Sequence, residues 1–132
     1  MIARDIMTRT VYTIRSEATA QEVAQLLAEK RISGVPVVDE RNNIIGIVTE
    51  ADIISKVTRE ERDESTPTVA DLMSREVITV HEEMPASDIA GLLTERRIKR
   101  VPVVSEGKLT GIVSRGDIVR AVAEGHLIIR QW

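Results

Sequence analysis

Gly46-Ile47-Val48-Thr49-Glu50-Ala51-Asp52 returns later in the chain as Gly111-Ile112-Val113-Ser114-Arg115-Gly116-Asp117. In both copies an apolar run ends on a hydroxyl residue, and an aspartate follows three positions on. Apolar segments come next, Ile53 to Val57 and Ile118 to Val122. The pattern predicts a buried strand running into a helix, with the hydroxyl at the helix cap. A hydroxyl, a carboxylate and free N–H groups then gather at one helix start, where a sugar or a phosphate can bind. The same spacing also fits a capping box that needs no ligand and contributes ~1 kcal/mol.

The self-match extends outward from this junction. Asp5-Ile6-Met7-Thr8-Arg9 returns as Asp71-Leu72-Met73-Ser74-Arg75, Glu29-Lys30-Arg31-Ile32 as Glu95-Arg96-Arg97-Ile98, and Val35-Pro36-Val37-Val38 as Val101-Pro102-Val103-Val104. The offset shortens by one residue in the turn that follows. So long a match marks an internal duplication. Each copy reads as a lead-in (Ile2 to Met7, Val69 to Met73), a brief strand (Val11 to Ile14, Val77 to Val80) and an amphipathic helix. A Val-Pro-Val-Val strand, a hairpin, the junction strand and a last helix follow. Thr19 and Glu22 are a candidate capping box, and Pro85 suits a helix start because its missing N–H costs nothing there. Pro36 implies that one edge of its strand lacks a ladder partner at that point. The divisions are repeat 1 over 1–60, a charged linker over 61–68 within the polar stretch Thr58 to Thr68, repeat 2 over 69–126, and an apolar tail over 127–132. A unit of about sixty residues buries little alone, so the two are expected to pack about a pseudo-two-fold axis. The tail either folds back on the core or covers an oligomer surface.

Composition narrows the function classes. The chain has 132 residues, 42% hydrophobic, with one Tyr, one Trp and no Phe, so the core must be aliphatic. A net charge of −3 gives no overall basic field for nucleic acid. The absence of Cys excludes a disulfide framework and a thiolate metal site. His81 and His126 occupy unrelated places, which argues against a metal site and against a nucleophile-base-acid set. No apolar run approaches the ~18 residues of a membrane span. The N-terminus lacks a signal-peptide core, so a cytoplasmic protein is expected.

The Met-Thr or Met-Ser lead-in, the Val-Pro-Val-Val strand and the Gly-Ile-Val-[Thr/Ser]-x-x-Asp junction resemble the cystathionine beta-synthase (CBS) domain family, in two copies in register. The resemblance implies a tandem CBS pair (a Bateman module) of α/β class, α+β in some schemes, with two β-α-β-β-α repeats. It implies a stand-alone sensor that is not an enzyme, forms a homodimer, and binds AMP, ADP, ATP or S-adenosylmethionine in clefts between the repeats. Any output acts in trans on a regulated protein the sequence does not identify. Carried over by position, Thr49 and Asp52, and Ser114 and Asp117, take the ribose and first phosphate. A carboxylate can accept hydrogen bonds from vicinal ribose hydroxyls. Adenine falls to Ser33, Gly34, Val35 and Pro36 in one copy and to Lys99, Arg100, Val101 and Pro102 in the other, with Thr13 or Thr79 also in contact.

The two sites are not expected to be equivalent. Lys99 and Arg100 precede the second Val-Pro-Val-Val strand and Arg115 lies in the second junction, where the first copy has Ser33, Gly34 and Glu50. By family analogy Lys99 and Arg100 serve phosphate in the Thr49/Asp52 cleft, with Arg100 the leading candidate and Arg115 near the other. The bland reading of Arg96-Arg97-Ile98-Lys99-Arg100 is a solvated helix end complementing the dipole. Two further functional readings stand beside the sensor. One is a ligand-free dimerisation scaffold whose junctions are only caps. The other is a nucleic-acid module using the basic cluster, which the acidic balance and scarce aromatics argue against.

Overall fold

A computed structural model describes residues 1–57 and 66–129. Most of the charged linker and the end of the apolar tail therefore lie outside the described residues. The elements are α1 (Ala3–Ile6), α2 (Ala20–Lys30), β1 (Gly34–Val38), β2 (Ile44–Thr49), α3 (Glu50–Ile54), α4 (Val69–Leu72), β3 (Val80–His81), α5 (Ala86–Glu95), β4 (Arg100–Ser105), β5 (Lys108–Ser114) and α6 (Arg115–Ala123). The class is α/β, as the resemblance implied.

The chain divides into two units, and neither coincides with a sequence repeat. One runs from Tyr12 to Val77; the other joins Met1–Val11 to the chain from Ile78 onward. Each lead-in helix thus packs with the junction strand of the other repeat. Thr8 N–H bonds Ile112 O at 2.8 Å and Ile112 N–H bonds Thr8 O at 3.0 Å. Ser74 and Ile47 exchange the same pair of bonds, at 2.9 and 3.0 Å. The junction glycines make this docking possible. A Cβ on Gly111 would sit 2.5 Å from Met7 Sδ, and one on Gly46 would sit 2.7 Å from Met73 Sδ. The paired methionines of the lead-ins fill the space that those side chains would take.

In the unit from Tyr12 to Val77, β1 and β2 pair antiparallel, with Gly34 opposite Thr49. The expected strand Val11 to Ile14 shrinks to one parallel bridge, Ile14 to Val37. Ile14 N–H bonds Pro36 O at 3.1 Å and Val38 N–H bonds Ile14 O at 3.0 Å. Extending that ladder toward Tyr12 would need an N–H at residue 36, and proline has none. Val23 and Leu27 of α2 cover the sheet, packed with Val35, Val37, Val48, Val69 and Leu72. Thr19 caps α2 by accepting from Glu22 N–H at 3.0 Å. Only that half of the expected capping box is present among the described residues.

In the other unit the sheet order is β3-β4-β5, parallel then antiparallel. The expected strand Val77 to Val80 is observed as Val80–His81, pairing with Val103 and Val104, so it begins just past Pro102. Glu106 and Gly107, both at positive φ, make the two-residue β4–β5 turn. Pro85 stands at the start of α5. The core is Ile89 and Leu93 of α5 against Val101, Val103, Val113 and Ala121, closed by Ala3, Ile6 and Met7 of the lead-in. Gly125, at φ 84, ends α6. Its N–H bonds Val122 O at 3.0 Å, and His126 N–H bonds Ala121 O at 2.8 Å, which is a Schellman closure. Of the tail, Leu127 packs against the core while Ile128 and Ile129 are exposed.

Candidate functional site

The Val-Thr-x-x-Asp and Val-Ser-x-x-Asp junctions form as strand-to-helix turns because their hydroxyl residues stay extended while the next residue enters the helix. Thr49 has φ −119° and ψ 168°, and Ser114 has φ −110° and ψ 170°. Each aspartate reaches back to the cap. Asp52 Oδ2 accepts from Thr49 N–H at 2.8 Å and from Thr49 Oγ1 at 3.1 Å. Asp117 Oδ2 accepts from Ser114 N–H at 2.8 Å and from Ser114 Oγ at 3.0 Å. The capping-box reading is therefore correct at both junctions. The helix that follows Thr49 has only five residues, so little macrodipole supports an anion there.

The second oxygen of each carboxylate tells the two apart. Asp52 is half-buried, and among the described residues its Oδ1 has no partner. Asp117 is 4% exposed. Its Oδ1 accepts from Thr8 Oγ1 at 3.1 Å and from the guanidinium of Arg120. Thr8 and Arg120 are the site residues that sequence reasoning missed. Their counterparts in the other copy are Ser74 and Ser55, whose hydroxyls bond Glu76 O and Asp52 O and leave the Asp52 carboxylate alone.

Several predicted residues are brought to these junctions. Ser33 O accepts from Glu50 N–H at 2.9 Å, and buried Gly34 pairs with Thr49. Val35 and Pro36 are fully buried, and Thr13, half-buried, precedes the bridge at Ile14. In the other unit Lys99 O accepts from Arg115 N–H at 3.0 Å, and Arg100 pairs in register with Ser114. Val101 and Pro102 are fully buried, and half-buried Thr79 precedes β3. Arg96, Arg97, Lys99 and Arg115 are exposed, as a solvated helix end and turn would be, while Arg100 is half-buried.

A cavity of about 220 Å³ lies in the unit that holds Asp117, lined by Met1, Met7, Asp117, Arg120 and His126 among others. It is smaller than the ~300–1,000 Å³ of a ligand pocket. Thr79, Lys99, Val101 and Pro102 do not line it, so it is not the expected adenine slot. Among the described residues no group of three or more His, Cys, Asp or Glu is placed to hold a metal ion. No described helix is long and apolar enough to cross a membrane.

Comparison with known proteins agrees with this architecture. The sequence model of the CBS domain matches residues 3–59 and again 69–124. The CBS domain-containing protein YhcV of Bacillus subtilis is 35% identical over 115 residues, covering 87% of this chain and 81% of that protein. Other relatives are longer, and the chain spans 60%, 41% and 23% of three of them. Among solved structures, CBSX2 in complex with AMP superposes with a TM-score of 0.85 at 28% identity, covering 96% of this chain and 98% of that one. The CBS domain pair of MJ0100, in complex with 5′-methylthioadenosine and S-adenosyl-L-methionine, gives 0.80 at 30% identity, covering 95% and 98%.

Proposed function

Because this chain belongs to the CBS domain family, as a tandem pair of such domains, we propose that it is a regulatory module that binds an adenosyl ligand and acts on a partner protein. The observation that carries this reading is the carboxylate of Asp52, held in place by Thr49 with one oxygen left to accept from a ribose diol. Thr49, Asp52, Ser114 and Asp117 take the ribose and first phosphate. Backbone at Ser33 to Pro36 and at Lys99 to Pro102 reads adenine, beside Thr13 and Thr79, and Arg100 and Arg115 serve phosphate. Support comes from the related pairs solved with AMP and with S-adenosyl-L-methionine. The reading is of a cytoplasmic regulator rather than a catalyst, working as a homodimer. Exposed Ile54 and Val119, at matching positions of the repeat and 69% and 66% exposed, favour self-association.

A second reading is a ligand-free scaffold. The complete internal pairing of the Asp117 carboxylate favours it. A thermal-shift panel with AMP, ADP, ATP, S-adenosylmethionine, NAD and GTP, with and without magnesium, separates the two. A ligand at a hundred times its Kd adds ~2.7 kcal/mol of stability. A shift selective for one adenosyl ligand supports the sensor. No shift with any of them refutes it and leaves the scaffold.

A further inference from the structure

The duplicated junctions carry the same cap but different surroundings, and the difference lies on the oxygen that a ribose would use. An ionised carboxylate offers about four acceptor positions on its two oxygens. Asp117 fills them: Ser114 N–H and Oγ on Oδ2, Thr8 Oγ1 and Arg120 on Oδ1. Among the described residues, Asp52 uses only Oδ2. A ribose diol reaches Asp52 without breaking any hydrogen bond among the described residues. At Asp117 it must first displace Thr8 and Arg120 from a carboxylate that is 4% exposed. The two sites differ at this point because Arg120 stands where the other repeat has Ser55, and Thr8 where it has Ser74.

Building on the adenosyl-binding reading, we propose that Arg120, with Thr8, closes the Asp117 junction, so that the Asp52 junction takes ligand first and the two partners together set the inequality. Arg120 is suited to this. Its side chain is 59% exposed, so the guanidinium can swing into water once a competing donor arrives, while Asp117 stays behind, buried and fixed by its cap. Arg120 is a positioning residue for the second site: it holds the carboxylate in its unliganded pairing. Displacing both the Thr8 hydroxyl and the guanidinium from the buried carboxylate weakens the second site by at least about tenfold, of which the exposed arginine accounts for about twofold.

Isothermal titration of the full chain with AMP, and separately with S-adenosylmethionine, tests this. The wild-type protein is expected to show one tight site per chain and a second at least about tenfold weaker. Arg120→Ser should tighten the weak site by about twofold and leave the strong one unchanged. The reciprocal Ser55→Arg should weaken the tight site by about the same factor. Circular dichroism melts confirm that both variants fold, and each carries the test if the other does not. Two equal sites in the wild-type protein overturn the proposal while upholding the adenosyl reading. So does a weak site that Arg120→Ser leaves unmoved. Absence of binding by either ligand to the wild-type protein overturns both.

Discussion

Replacing Asp117 by alanine should cost the fold far more than replacing Asp52, although the two occupy the same place in the repeat. Asp52→Ala removes the acidic half of a capping box and, among the described residues, nothing else, a loss of about 1 kcal/mol. Asp117→Ala removes the same cap bond and also strands the partners on Oδ1. The bond from Thr8 to a buried carboxylate adds about 1.5 kcal/mol. The Arg120 pair adds only about 0.5 kcal/mol, because the guanidinium is largely in water. The total is about 3 kcal/mol, a difference of about 2 kcal/mol between the two variants. In a chain of this size that separates the midpoints by roughly 8 °C. Scanning calorimetry without ligand reads this directly. Thr8→Ala should by itself lower the midpoint by about three-quarters of that difference, because it removes the side-chain bond from the lead-in to the Asp117 carboxylate. Equal midpoints for Asp52→Ala and Asp117→Ala would refute the reasoning, since Oδ1 of Asp117 would then carry no net stabilisation.

Other substitutions test the packing beneath the junctions. Gly111→Ala forces its Cβ against Met7 and to 3.1 Å from Thr8 O, and should cost about 1–3 kcal/mol by urea titration. Gly46→Ala, against Met73 and Ser74 O, should behave alike. Ile89→Ala empties a site with no exposed surface and should cost about 2–5 kcal/mol by the same titration. Gly125→Ala puts a side chain at φ 84 and should lower the calorimetric midpoint through a loss of about 1 kcal/mol, with no steric clash involved.

Much of this architecture was legible because the local signals are strong. The duplicated junction gave strand, cap and helix start together, and the Val-Pro-Val-Val runs became β1 and β4. Pro36 pointed to a broken ladder edge, and that edge is where the pairing of Ile14 stops short; Pro102 does the same to β3 in the other copy. What was not legible depends on contacts far apart in the chain. A four-residue lead-in helix carries too little pattern to name its partner, so the exchange of lead-ins between repeats could not be foreseen. Thr8 and Asp117 lie 109 positions apart. Arg120 reads as an ordinary solvent-facing helix residue, and most of its side chain is that. Only its head group, turned onto Asp117, gives it a role. Met7 and Met73, at matching positions of the lead-ins, each pack over a glycine that has no room for a side chain.

The most direct test of the sensor reading is the affinity of the folded protein for AMP and S-adenosylmethionine, compared with that of Asp52→Ala at the same pH and salt. Asp52→Ala should fold with a midpoint only a few degrees lower, which keeps the comparison clean. The account predicts that the wild-type protein binds at least one of the two ligands and that the variant loses the tight site. Tight binding that survives Asp52→Ala would contradict it, because the free carboxylate oxygen would then have no part in holding the ligand.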